Sequence, residues 1–227
     1  MNEIKQEQMK DSGYRKYFAG ELELVTDVNG IAPSYQPGHA HADTFTFCLN
    51  FKNKEVVVDR GISTYNICSI RDEERGTKAH NTITIEGLNS SEVWSGFRVG
   101  QRAEANIVDE GETNITAEHN GFFSAGIIHR RSFKILADSV VQIADELIGN
   151  TSSREVTANI HFDSSVNAKL VANTLVINDE LLISFKGEVE ISLNNYFLCR
   201  GFNVTEEAPM VSIKLLGHNL ITEIKPL

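Results

Sequence analysis

Thr44-Phe45-Thr46-Phe47-Cys48-Leu49-Asn50-Phe51 sets Phe45, Phe47, Leu49 and Phe51 against Thr44, Thr46, Cys48 and Asn50 in strict alternation. Successive side chains of an extended chain point to opposite faces, so this octet predicts a half-buried strand. Lys52-Asn53-Lys54 follows, and Asn tolerates the positive φ that a tight turn needs. Glu55 to Asp59 then returns through Val56, Val57 and Val58, whose β-branched side chains suit a pleated surface. The two runs predict a hairpin ending at Asp59.

The same texture begins at Glu21-Leu22-Glu23-Leu24-Val25 and extends to the C-terminus. Asn81 to Gly87 predicts a strand stopped by glycine, and residues 60–79 between it and the hairpin read as a charged loop. Further strand candidates are 97–108, 113–118, 126–136, 140–147, 156–162, 168–170, 175–177, 181–185, 189–193, 211–215 and 220–224. No segment after residue 20 keeps a helical apolar period over three turns, and only four prolines occur. Many short strands separated by turns point to an all-β fold, a large antiparallel β-sandwich with little helix, rather than to alternating βαβ units. The predicted organisation is a linker or short helical lead-in over 1–18 and one sandwich domain over 19–227.

At 227 residues the chain can bury a substantial core without disulfides. Its three cysteines, Cys48, Cys68 and Cys199, are odd in number and lack CxxC spacing, which indicates neither a disulfide framework nor a zinc knuckle. Cys48 reads as a core residue. The net charge of −10 opposes general binding to nucleic acid, so an anionic ligand must find a local basic patch. No apolar run approaches the length of a membrane span. Met1 to Lys10 is polar and lacks the apolar stretch of a secretory leader, as expected of a cytoplasmic protein or of a piece of a longer chain.

The chemistry concentrates around that hairpin. Gly38-His39-Ala40-His41-Ala42-Asp43 precedes it and His80-Asn81 follows. In extended chain a His-x-His pair puts both imidazoles on one side, with Cα atoms roughly 6.6 Å apart. His41, Asp59 and His80 would make a three-ligand set of the borderline-to-hard donors that suit zinc, with water completing four-coordination. The alternative is that these are ordinary histidines at a strand entrance, with Asp43 and Asp59 making turn or cap hydrogen bonds. A hairpin centred on Lys52-Asn53 pairs Asp59 with Thr46, so the metal reading requires the 39–43 loop to fold back. A cupin needs a glutamate a few residues after His-x-His, where Asp43 comes too soon and Glu55 too late. The GxSxG elbow of an α/β hydrolase does not occur.

Taken with Val58-Asp59-Arg60-Gly61, Tyr65 and Arg75-Gly76-Thr77-Lys78-Ala79-His80-Asn81-Thr82, the His-x-His run resembles the C-terminal β-sandwich of heparinase II/III-like polysaccharide lyases. The resemblance implies that His39 lies in the catalytic cleft, and that His41, Asp59 and His80 bind a mainly structural zinc ion. It implies β-elimination on an acidic polysaccharide: the C5 proton of a uronic acid is removed and the C4 oxygen leaves with a proton. Imidazole suits such proton transfers near neutral pH. Tyr65, Arg71 and Arg75 are the substrate-binding candidates, with Lys78 beside them, because guanidinium pairs bidentately with carboxylate or sulfate. Each of these cations reads equally as a solvated loop charge, and Tyr65 as a packing residue.

Such lyases also carry a helical α/α toroid that supplies the catalytic tyrosine, and this sequence contains no such domain. The isolated chain is therefore expected to be inactive or nearly so, with a periplasmic or envelope setting implied by the resemblance alone. The competing expectation is a non-catalytic, metal-stabilised sandwich that binds glycan or another subunit. Two further features admit a glycan-binding reading but are assigned to structure: His129-Arg130-Arg131-Ser132-Phe133-Lys134 reads as an edge or solvent-facing strand, and Trp94 and Phe97, which could stack on a sugar ring, read as caps on the sandwich.

Overall fold

A computed structural model describes residues 5–9, 12–33, 35–36, 38–136 and 139–227, with the backbone alone for 5–9. The hairpin forms from β4 (Phe47–Phe51) and β5 (Lys54–Val57), turned by Lys52 at φ 52° and Asn53 at φ 59°. Two successive positive φ values define the turn whose twist matches paired strands. A register shift between Leu49 and Asn50 brings Leu49 opposite Val57 and ends the pairing there, so Asp59 leaves the sheet instead of facing Thr46. At the other end Thr46 N donates to Asp43 O and Phe45 takes φ 68°, so the strand starts at Phe47, three residues later than the alternation suggests. Phe45 is nevertheless fully buried, and Cys48 is half-buried.

β4 and β5 close a five-stranded sheet with β1 (Lys5–Met9), β2 (Tyr14–Ala19) and β3 (Leu22–Asp27). The lead-in is therefore a pair of strands where a linker or short helix was expected; residues 1–4, 10 and 11 of it lie outside the described residues. The second sheet has eight strands. It runs from β9 (Ala105–Glu110), β10 (Asn114–His119), β11 (Ile127–Leu136) and β12 (Val140–Gly149) through β19 (Asn219–Pro226) to β16 (Leu181–Lys186), β15 (Thr174–Ile177) and β14 (Ala168–Val171). A four-stranded sheet follows the order β17 (Val189–Gly201), β18 (Val204–Leu215), β13 (Val156–His161) and β6 (Ile83–Ile85). The isolated bridge Val57 to Phe162 joins the edge strand β5 of the five-stranded sheet to the residue that follows β13 in the four-stranded one.

The inward faces of all three sheets share one core cluster, in which Phe47 meets Phe133 at 6.2 Å between ring centroids. This is an all-β sandwich. No helix among the described residues is long and apolar enough to cross a membrane. One α-helix occurs among them, α1 (Ser69–Arg75), inside the stretch read as a loop, and a 3-10 turn over Thr77–Ala79 follows it. The hairpin β17–β18 is also much longer than its two apolar runs, because pairing continues through Asn194, Asn195, Glu206 and Glu207.

Candidate functional site

Helix α1 organises the site although only seven residues form it. Asp72 in its first turn and Arg75 in its last complement the helix dipole, and its inward side carries Arg71, Glu74 and Arg75, all buried. Arg75 reaches across to the His-x-His loop: Nε and Nη2 donate to Ala40 O at 3.1 and 3.0 Å. Its remaining bonds go to Trp94 O and Arg98 O, both at 3.2 Å, in the small hairpin of β7 (Val93–Trp94) and β8 (Arg98–Val99). Ala42 N donates to Arg75 O at 2.9 Å, and Thr77 Oγ1 donates to Ala42 O at 2.8 Å. The 39–43 loop thus folds back onto α1. Arg75 is fully buried and committed to backbone carbonyls, so it is a clamp for that loop and has no surface for a sugar, which corrects its reading as a substrate contact.

The fold-back brings the three proposed ligands together. His80 Nδ1 lies 2.6 Å from Asp59 Oδ2, Asp59 Oδ1 accepts from Gly61 N at 2.9 Å, and the His41 and His80 rings stand 5.3 Å apart. Burial acts to raise the Asp59 carboxyl, but the His80 ring and the Gly61 amide outweigh it and hold that carboxyl well below the usual range. Burial likewise acts to lower His80, and the Asp59 charge with its hydrogen bond raises it instead. Burial, with His80 and two arginines nearby, pushes His41 down to about 3. Burial raises Asp43.

Two imidazoles and a carboxylate fit a zinc ion in donor chemistry. His80 Nε2 also fits: it is fully buried and has no hydrogen-bond partner among the described residues. Such a stranded nitrogen costs on the order of 1–3 kcal/mol unless something engages it. With the Asp59–His80 hydrogen bond in place, however, no three such donors among the described residues are arranged to hold a metal ion. Coordination by all three would exchange that bond for bonds to the ion.

His39 is exposed and stands edge-on to Tyr65 and Phe97, at 5.8 and 6.0 Å between ring centroids. Tyr65 and Phe97 stack at 5.8 Å with 11° between their planes. Phe97, read as a cap on the sandwich, therefore belongs with His39, and Trp94 beside it is likewise exposed. Arg71 lies on the buried side of the pair, 5.3 Å from the Tyr65 ring and 5.9 Å from that of Phe97. Its Nε donates to Gly96 O at 3.3 Å, while Nη1 and Nη2 are buried without partners among the described residues. Burial lowers its pKa, with Glu74 opposing. Arg71 supports the aromatic wall through cation–π contact, and it would touch a sugar only if that wall opened.

Sequence reasoning missed the parts that hold this arrangement. Asn81 Nδ2 donates to Phe47 O at 2.8 Å and Val58 O at 2.9 Å, and its Oδ1 accepts from His161 N and Nδ1 at 2.8 and 3.0 Å. Behind it, Arg131 Nη1 donates to Asn81 O at 2.7 Å and Phe45 O at 2.8 Å, and Arg131 also pairs with Asp145 at 2.6 and 3.1 Å. The Asp145 carboxyl also accepts from His129 Nε2 at 2.7 Å. Gly121 N donates to His119 Nδ1 at 3.1 Å, which leaves His119 Nε2 to donate to His129 Nδ1 at 3.1 Å and fixes the tautomers of both rings. Strand β11 is therefore central, between β10 and β12, and its His129 and Arg131 are buried, contrary to the edge-strand reading. The signal was available: His119, His129, Arg131 and Asp145 occupy the apolar phase of three alternating strands.

The fold and site define a large antiparallel sandwich with a histidine–aspartate centre beside an aromatic wall. The chain belongs to the heparinase II/III-like C-terminal domain family, whose model matches residues 3–223. Among solved structures it is similar to a heparinase III gene product, with a TM-score of 0.79 at 17% identity over 100% of this chain and 37% of that one. Another heparinase III gives a TM-score of 0.76 at 18% identity, and heparan sulfate lyase HepC from Pedobacter heparinus gives 0.73 at 18%; each covers 100% of this chain and 37% of the other. At these identities the likeness shows the fold, and the chain spans little more than a third of those solved chains. Among curated proteins none matches in sequence.

Proposed function

We propose that this chain is the β-sandwich domain of a polysaccharide lyase that cleaves a uronic-acid-containing glycan by β-elimination, and that it acts only together with an α/α toroid. In this reading His39 faces the substrate and takes part in the proton transfers that remove the C5 hydrogen or deliver a proton to the departing C4 oxygen. Tyr65 and Phe97 shape the wall on which the sugar rests, and Arg71 fixes that wall from behind. His41, Asp59 and His80 would hold zinc, whose part would be structural, and these residues come from the 39–43 loop, the end of the hairpin and the turn after α1. The observation that carries the reading is the convergence of three separate segments on His41, Asp59 and His80 with His39 two residues away, in a chain whose family match runs nearly end to end.

Elemental analysis of the purified chain tests the centre. The expected result is about one zinc per chain, lost in His41→Ala and in Asp59→Ala; a chain without zinc when zinc is supplied overturns the assignment. Formation of unsaturated uronate from heparan sulfate tests the dependence on the toroid. The chain alone should give none above background, and robust turnover by it would refute that dependence.

A further inference from the structure

A groove of about 620 Å³ lies between α1 with its following turn and the long hairpin β17–β18. We infer that this groove is a second sugar subsite, which takes an anionic unit of a glycan chain with its sulfate or carboxylate between Arg60 and Lys78 and its ring on Phe197. The inference rests on the glycan reading above but concerns residues that reading does not use.

Arg60 and Lys78 line the groove, and neither has a carboxylate within ion-pair distance among the described residues. Elsewhere on this acidic surface the cations are largely neutralised, as in Lys52–Glu180, Arg130–Glu146, Arg154–Glu86 and Lys186–Glu223. Among the described residues Arg60 donates only to Phe197 O, at 3.3 Å through Nε, which leaves both of its terminal nitrogens for a ligand. Asp72 and Glu73 also line the groove, so it is not a general polyanion trap and favours an anion placed at the two cations.

Phe197 is 61% exposed, a large apolar ring held at the groove wall by the paired backbone of β17 and β18. An exposed aromatic ring beside unpaired cations suits the apolar face of a sugar that carries an acidic group. Asn89 adds a donor: its Oδ1 accepts from Thr77 N at 2.9 Å, and its Nδ2 remains available. The floor comes from His161 and Tyr196, whose rings meet edge-on at 4.7 Å. His161 in turn contacts Asn81, next to His80, and Arg60 follows Asp59 in sequence. The groove therefore adjoins the His41–Asp59–His80 centre, as a neighbouring subsite on one chain would.

The test is calorimetric titration of the full chain with two probes at physiological salt, a heparin-derived hexasaccharide and an unsulfated heparosan hexasaccharide. Arg60→Ser/Lys78→Ser should weaken binding at least about tenfold, since two charge-assisted contacts are lost. Phe197→Ser should weaken it about threefold. Lys134→Ser/Lys225→Ser, which removes the same charge from two exposed lysines elsewhere, should leave affinity within about twofold. Loss confined to the heparin probe identifies sulfate as the group held, and loss for both identifies carboxylate. Unchanged affinity in Arg60→Ser/Lys78→Ser, with wild-type binding intact, overturns the groove while sparing the glycan reading. Absence of wild-type binding to either probe overturns both. Unchanged melting temperatures in the variants confirm that the comparison is between folded proteins.

Discussion

Replacing Arg131 by methionine removes the tie between the eight-stranded sheet and the segments that carry the candidate centre. The guanidinium is 3% exposed and makes charge-assisted bonds to both oxygens of Asp145 as well as to Phe45 O and Asn81 O. Methionine fills much of the volume but leaves the Asp145 carboxylate buried with His129 as its remaining hydrogen-bond donor, and it strands two backbone carbonyls. Breaking a buried ion pair from one side costs about 3–5 kcal/mol. Each abandoned carbonyl adds about 1 kcal/mol, less whatever local relaxation recovers. The expected loss is therefore about 4–6 kcal/mol, comparable to much of the stability of an ordinary domain. Equilibrium urea denaturation should show it as a lowered midpoint with an unchanged slope. The double variant Arg131→Met/Asp145→Leu should be more stable than Arg131→Met by about 2 kcal/mol or more, because no carboxylate is then stranded. A single-variant loss below about 1.5 kcal/mol, or a double variant no better than the single, would refute the argument.

The same network predicts acid sensitivity. Burial holds His119 and His129 below the ordinary histidine value, so the unfolded chain binds protons that the folded chain refuses. Their contribution is complete above about pH 6.5 and is lost as pH falls below it, so the melting temperature should drop between pH 7 and 5; a flat or rising profile contradicts this. Asp145 is held at about 2 because Arg131 and His129 outweigh burial, and its contribution should vanish further down, from about pH 4 towards 2. Arg75→Met releases Ala40 O, Trp94 O and Arg98 O together. It should cost about 2–4 kcal/mol and speed hydrogen exchange at residues 39–42 well above the rate for β4, whereas equal protection of that loop in the wild-type chain and the variant would show that it stands without the clamp.

The 44–51 alternation, the Lys52-Asn53 turn and the later apolar runs determined an antiparallel sandwich, because period-two burial and positive-φ turns are written in neighbouring residues. The residues of the candidate site were legible too, since His39, His41, Asp59 and His80 stand at recognisable intervals along the chain. Tertiary structure decided whether and how they meet. The fold-back of the 39–43 loop rests on Arg75, which local pattern shows only as one more charge in a polar stretch. Helix α1 escaped notice for the same reason: the residues it buries are Arg71, Glu74 and Arg75, so it has no apolar face to betray it. Phe45 holds a backbone angle that local preference disfavours while its carbonyl accepts from Arg131, a residue 86 positions away. Alternation is a property of neighbours and can be read along a chain, whereas a buried charge is stabilised only by partners that sheet stacking brings to it.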